Sequence, residues 1–275
     1  MNKALALLTL CSSAVFAHTL QAAELPADIT QRGYMTAAIV PNYPPLEFKD
    51  PATNQLTGFD YDLGTALAEH LGIEIRWQES AFEQMLSGLT TGRSDLVLSG
   101  MTDTPERQKV VSFIDYLRSG PQFYTLESNT EVNAATDLCG KRVGASRRTN
   151  FLNEISKWSA EHCEAAGNPA VVGVGTEGSA DARAQLRQGR LDAALQGSET
   201  LPYIQSMEPG TYKVVGDPLA WQFTGMAVAA NNTELRDALA SSLDELIENG
   251  TYEQIIDKWG LQDAKVDAVQ INAGQ

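Results

Sequence analysis

Between positions 95 and 107 the chain reads Asp-Leu-Val-Leu-Ser-Gly-Met-Thr-Asp-Thr-Pro-Glu-Arg. Leu96, Val97 and Leu98 form an unbroken apolar run too short for a helix, the pattern of a strand covered on both faces. Parallel sheets contain such strands, and they oblige the chain to cross back through a helix between neighbours. The preceding sequence supplies those crossings. Residues 34–40 read as a strand, broken by Pro41-Asn42-Tyr43-Pro44-Pro45. Residues 47–57 read as a polar loop or hairpin. From Gly58 to about His70, Leu63, Ala66, Leu67 and Leu71 recur at helical spacing, and Gly72 stops the run. Residues 73–78 alternate as a strand, and 82–91 form a second helix before Leu96. Two strand–helix–strand units in succession predict an α/β fold with a parallel sheet.

After Leu98 come Ser99, Gly100 and Thr102, then Thr104-Pro-Glu-Arg107, with Thr104 as helix N-cap and Pro105 at the first helical position. Hydroxyls, free backbone N–H groups and a forked cation at a strand end suit a carboxylate. A capped turn with a surface Arg107 is the other reading of the same residues. Helix continues over 106–111, and 116–126 is one long extended crossing. A second α/β set comes next: strands at 140–144, 170–174, 191–196 and 212–216, helices at 150–165 and 180–188. Residues 223–229 are a second extended crossing, and amphipathic helices at 235–248 and 252–259 close the pattern. Two α/β lobes joined by two extended hinge crossings imply a cleft, and the carboxyl ends of the strands face it.

Residues 1–23 read as a secretory signal peptide with Lys3 as its only charge. Leu10 is too large for the residue before Cys11 in a lipoprotein signal. Removal of the segment takes the formal net charge from −15 to −16. That acidity disfavours nucleic acid and anionic lipid as partners. Cys139 and Cys163 then remain, and an even pair in an exported chain points to a disulfide, with two buried thiols as the alternative. No later stretch is apolar over the length a membrane helix needs.

Taken in order, Tyr43-Pro-Pro-Leu-Glu-Phe48, Gly58-Phe-Asp-Tyr-Asp-Leu63, the stretch 95–107 and Gly250-Thr-Tyr-Glu-Gln-Ile-Ile-Asp-Lys-Trp-Gly260 resemble the bacterial extracellular solute-binding proteins of family 3. The resemblance runs from about residue 27 to 261. It implies the two-lobed periplasmic-binding-protein (Venus-flytrap) fold, with lobe 1 from residues 24–119 plus 224–275 and lobe 2 from 120–223. It also implies binding of a small carboxylate-bearing solute, an amino acid or a derivative, in the periplasm and delivery to an ABC-transporter permease, by a monomer without cofactor or metal. By position it gives Arg107 the ligand carboxylate, with Thr102 and the Gly100 backbone assisting, Ser99 the ammonium, and Tyr43 and Phe59 the aromatic sandwich around the ligand side chain.

Two departures bear on the ligand. The lobe 2 loop reads Ser146-Arg147-Arg148-Thr149-Asn150, with Arg148 where the family usually has Gly; Thr149 and Asn150 are expected to finish the site, with Arg148 either adding a second cation to the cleft or pointing to solvent. The family's acid for the ligand ammonium falls at Gly197. An ammonium left without a carboxylate costs several kcal/mol, on the order of a buried ion's penalty. Glu199 or Glu47 is therefore expected to take over, or the ligand is an anionic or N-modified derivative or an organic acid rather than a cationic amino acid. Arg118 is a further candidate cation. The competing motifs are weaker. Gly173-Val-Gly-Thr-Glu-Gly178 matches a dinucleotide fingerprint but is read as ordinary lobe 2 structure. His18, His70 and His162 are scattered, without metal-ligand spacing. Asp60 and Asp62 are read as complementing the dipole of their helix. The rival class is a cyclohexadienyl dehydratase-like enzyme on the same fold, with Glu199 as the acid.

Overall fold

The computed structural model describes residues 24–147 and 149–275; the expected signal peptide and Arg148 lie outside them. Helix α1 (Ala27–Arg32) leads into strand β1 (Tyr34–Ile39). Strands β2 (Asn42–Tyr43), β3 (Glu47–Lys49) and β4 (Leu56–Thr57) form a small antiparallel sheet. Next come α2 (Phe59–His70), β5 (Glu74–Glu79), a 3-10 turn at Phe82–Gln84 running into α3 (Met85–Thr90), β6 (Leu96–Val97), α4 (Pro105–Gln108) and β7 (Val111–Ser119). The middle of the chain supplies β8 (Pro121–Leu126), β9 (Arg142–Ser146), α5 (Phe151–His162), β10 (Val172–Thr176), α6 (Ser179–Arg187), β11 (Ala193–Gly197), α7 (Leu201–Met207) and β12 (Tyr212–Val215). The remainder is β13 (Gln222–Ala229), α8 (Thr233–Glu248), α9 (Thr251–Trp259) and β14 (Lys265–Ile271).

Two larger sheets result. The first has the order β14-β7-β13-β6-β1-β5, with β5 and β6 parallel to β1 and the other contacts antiparallel. The second has the order β10-β9-β11-β8-β12, parallel among β9, β10 and β11. The chain leaves the first sheet between Ser119 and Pro121 and has returned to it by Gln222. Each sheet has its own core. Met35, Leu63, Leu117, Leu239 and Tyr252 belong to the first, and Phe123, Val143, Ile155 and Leu195 to the second. Cys139 and Cys163 form a disulfide in the second lobe.

The α/β reading and most element positions hold. Three places differ. The helix expected over 106–111 stops at Gln108, because Val111, Phe113 and Ile114 are buried in β7 between β13 and β14. Helix α7 has no counterpart in the sequence pattern; Pro202 opens it, as proline does in a first helical turn. Strand β14 has none either: it lies at the sheet edge, pairs with an irregular register and buries only Val266.

Candidate functional site

The site lies where the parallel strands of both lobes end. After β1 the chain presents Val40, Asn42 and Tyr43; after β5, Ala81 and Phe82; after β6, Ser99, Gly100 and Thr102. From the other lobe come Thr149 and Asn150 after β9, Glu177, Gly178 and Ser179 after β10, and Gln196 near the end of β11. Together with Arg107 and Glu47 they enclose a cavity of about 130 Å³ between the lobes. A crevice at the carboxyl ends of parallel strands is the expected ligand position in open α/β sheets.

Arg107 sits on α4, whose start is fixed by Pro105 and by the Thr104 hydroxyl accepting the Arg107 N–H at 3.4 Å. One arm of its guanidinium donates to the Thr102 carbonyl at 2.7 Å, and the group lies 5.5 Å from the centre of the Phe82 ring. Among the described residues Arg107 makes no ion pair, and it faces the cavity. Burial lowers its pKa, with the Asp103 carboxylate pulling the other way. A mostly buried cation held at one arm has its remaining donors available to an anion.

The loop before it is anchored from beneath. The Ser99 hydroxyl accepts the Val40 N–H at 3.0 Å and donates to Glu47 Oε1 at 2.8 Å. The Gly100 N–H donates to Asp60 Oδ2 at 2.8 Å. Gly100 has φ +51°, and a Cβ there would lie 3.1 Å from Leu46 and 3.3 Å from the Tyr43 ring, so both conformation and space require glycine. Glu47 and Asp60 are fully buried. Desolvation, then the neighbouring Asp60 charge, push the Glu47 carboxyl well above the usual carboxylate range. Desolvation pushes Asp60 up to about 7, against the Gly100 N–H and the Tyr116 hydroxyl, which favour its charge. Asp60 therefore does more than complement the dipole of α2: it reaches down to the site loop.

Tyr43 joins the lobes. Its hydroxyl donates to Glu199 Oε1 at 3.0 Å, and Ser119 at the crossing donates to the other Glu199 oxygen. Burial and the facing Glu199 raise the Tyr43 pKa, so the hydroxyl stays a donor. Burial raises Glu199 too, against the hydrogen bonds from Ser119 and Tyr43. The Glu199 carboxylate occupies the space where a Cβ on Gly197 would project. An acid is thus present beside position 197, folded back from two residues further on.

The expected site residues Tyr43, Ser99, Gly100, Thr102, Arg107, Thr149 and Asn150 come together around one cavity. Two expectations are corrected. Phe59 does not reach it: its ring is fully buried in the first core, stacked 6.0 Å from Tyr116 and edge-on to Tyr252, because it opens α2 on that helix's buried face. Glu199 lies behind Tyr43 and lines a separate, larger groove of about 640 Å³ on the hinge side, its oxygens already held. Arg118 faces that same groove, 5.3 Å from the exposed Trp221 ring, rather than the cavity. Arg147 pairs with Glu177 at 3.1 Å and donates to the Gly175 carbonyl. The cavity also gains residues that the sequence pattern did not single out for it. Phe82 supplies the aromatic wall, and the end of the glycine-rich run, Glu177 and Gly178, lines the opposite side. Both sit just past the carboxyl ends of parallel strands, β5 and β10, and that position is the signal by which a sequence could have revealed them. Among the described residues no cluster of three or more His, Cys, Asp or Glu side chains suits a metal ion, and no helix is long and apolar enough to cross a membrane.

Comparison with known proteins adds a family. The profile of the bacterial extracellular solute-binding proteins, family 3, matches residues 35–262. The arginine-binding protein ArgT of Corynebacterium glutamicum is 31% identical over 250 residues, covering 91% of this chain and 82% of its own. The L-cystine-binding protein TcyJ of Escherichia coli K12 is 29% identical over 234 residues, 84% of each chain. Among solved structures, the ancestral amino acid-binding protein AncCDT-1, a precursor of cyclohexadienyl dehydratase, superposes with a TM-score of 0.73 at 29% identity, covering 84% of this chain and 97% of its own.

Proposed function

The chain belongs to the bacterial extracellular solute-binding proteins of family 3, and from that premise we propose that its cleft captures a free amino acid or close derivative by the carboxylate and presents it to an ABC-transporter permease. The observation that carries this reading is Arg107: a mostly buried guanidinium, tied at one arm to Thr102, facing an interlobe cavity of about 130 Å³. Thr102 and the Gly100 backbone stand beside it, Tyr43 and Phe82 supply aromatic walls, and Thr149 and Asn150 approach from the other lobe. The lining carries the Arg107 cation on one lobe and the acid Glu177, paired with Arg147, on the other, so groups of both signs meet at the cavity, as a zwitterion needs. The ArgT and TcyJ relatives, named for arginine and cystine, support the amino acid class.

Residues 24–119 with 224–275 form one lobe in this reading and 120–223 the other. Ligand that touches both lobes at once favours the closed form, so closure follows from population shift. Calorimetry with a panel of L-amino acids, including arginine, cystine, glutamine and glutamate, identifies the ligand. Arg107→Ala is expected to weaken that ligand by about 2–5 kcal/mol, the cost of removing one partner of a buried charge pair, with the circular dichroism spectrum unchanged. A variant that binds normally overturns the carboxylate assignment.

A further inference from the structure

Beneath the ligand loop two oxygens lack a donor. Glu47 Oε1 accepts from Ser99 and Asp60 Oδ2 accepts from Gly100. Glu47 Oε2 and Asp60 Oδ1 are buried and make no hydrogen bond among the described residues, although the Tyr116 hydroxyl, itself unpartnered, lies beside Asp60. Buried carboxylate oxygens are rarely left so. The two carboxyls hang side by side from one loop, Glu47 on Ser99 and Asp60 on the adjacent Gly100, and the Asp60 N–H donates to the carbonyl of Leu46, next to Glu47, at 2.8 Å. Two ionised carboxylates have no hydrogen to share, but one proton between them satisfies both oxygens at once.

We propose that Glu47 and Asp60 share a single proton and act as a positioning pair, holding Ser99 and Gly100 where the ligand loop needs them. The pair links the small sheet, through β3, to the first turn of α2, and through Ser99 and Gly100 to the end of β6. The groups facing it are hydroxyls and one further acid. From β7 the Tyr116 hydroxyl lies beside Asp60; from the turn after β11 comes Glu199, an acid; from β2 comes Tyr43. No cation is among these groups, so none of them neutralises two full charges, and burial favours retention of one proton.

The shared proton has two consequences. Glu47 is occupied below the loop, so it does not serve as the acceptor of a ligand ammonium, although it lines the cavity. Deprotonation at alkaline pH places two buried anions against each other, and their repulsion shifts the Ser99 and Gly100 hydrogen bonds, so the loop loosens as pH rises.

The experiment needs no ligand. Infrared difference spectra of the full chain at pH 7 in H2O and D2O are expected to show the carbonyl band of a protonated carboxyl that is lost in both Glu47→Gln and Asp60→Asn. In Glu47→Gln the amide still accepts from Ser99 and donates to Asp60, without a titrating proton. The Gly100 amide resonance is therefore expected to move with alkaline pH in the wild type and to stay flat in that variant. If either substitution prevents folding, the other carries the same two readouts, and the wild-type band stands independently. Absence of the band, its survival in both variants, or a Gly100 resonance that titrates alike in Glu47→Gln overturns the proposal. The inference rests on the reading of the cleft as an amino acid site only for the loop's purpose. A failure of that reading shows in the calorimetric panel and leaves these spectra unchanged.

Discussion

Asp115 lies in the middle of β7, fully buried, with Oδ2 accepting the Ala273 N–H at 3.1 Å and Oδ1 without a partner among the described residues. Burial and the nearby Asp103 push its pKa up to about 7. The raised value sets the sign of its effect on stability. Above about pH 4 the unfolded chain has released this proton, while the folded chain keeps it until about 7. The folded state binds more protons across that window, so Asp115 erodes stability as pH rises from about 4 to 7. Asp115→Asn is expected to be near neutral at pH 4 and stabilising by about 1–3 kcal/mol, the cost of an unsatisfied buried group, at pH 8. Thermal unfolding at several pH values checks this; a difference independent of pH contradicts it. At this scale the sequence was legible where the backbone dictates chemistry. Thr104, Pro105 and Gly100 behave as their residue types require. Phe59 and Phe82 were not separable by type, because an aromatic at a helix entry packs inward or outward according to which face that turn presents. Asp60 was ambiguous for a related reason: dipole complementarity and a tether to Gly100 need the same residue at the same helical position.

The last strand and the residues after it act from behind on the segment that follows β6. Asn272 Oδ1 accepts the Phe113 N–H at 2.7 Å, and the Gly274 N–H donates to Asp103 Oδ2 at 2.7 Å. Gln108 donates both to Asp103 and to the Gly274 carbonyl, at 2.8 and 3.0 Å. Asp103 stands between Thr102 and the Thr104 cap, so this tail braces the segment that aims Arg107. A Cβ on Gly274 would run into the Asp103 backbone. Gly274→Val is therefore expected to displace the tail and speed amide hydrogen exchange across residues 102–108, with little change around β9 and β11. Uniform exchange rates in wild type and variant argue against the brace. In the other lobe, serine at both Cys139 and Cys163 is expected to cost about 3 kcal/mol, the loop-closure value for a crosslink of this span, read as an earlier melting transition. These features differ in how the sequence announces them. The cysteines stood out by number and compartment. The tail did not, since Lys265–Ile271 alternates around an exposed edge and its grip consists of backbone N–H and C=O groups and one asparagine.

Across the whole molecule, the lobes meet through Tyr43 and Glu199, and through the Phe48 ring 5.7 Å from that of Tyr203. Tyr43→Phe keeps the aromatic wall and removes the hydroxyl, so it is expected to favour open forms and weaken ligand about 5- to 10-fold, near 1 kcal/mol for one hydrogen bond. Solution scattering of the unliganded variant should show a larger radius of gyration; unchanged scattering and affinity would leave the contact without a role in closure. The sheet order β14-β7-β13-β6-β1-β5 has one more consequence. Strand β13 stands between β7 and β6, so the chain up to Ser119 holds β1, β5, β6 and β7 of a sheet whose centre is still missing. The middle lobe, by contrast, draws its sheet from one uninterrupted stretch. A chain emerging from its N-terminus therefore completes its second lobe before its first, and the loop at 99–102 waits, without its neighbours, for residues 222–229 to arrive.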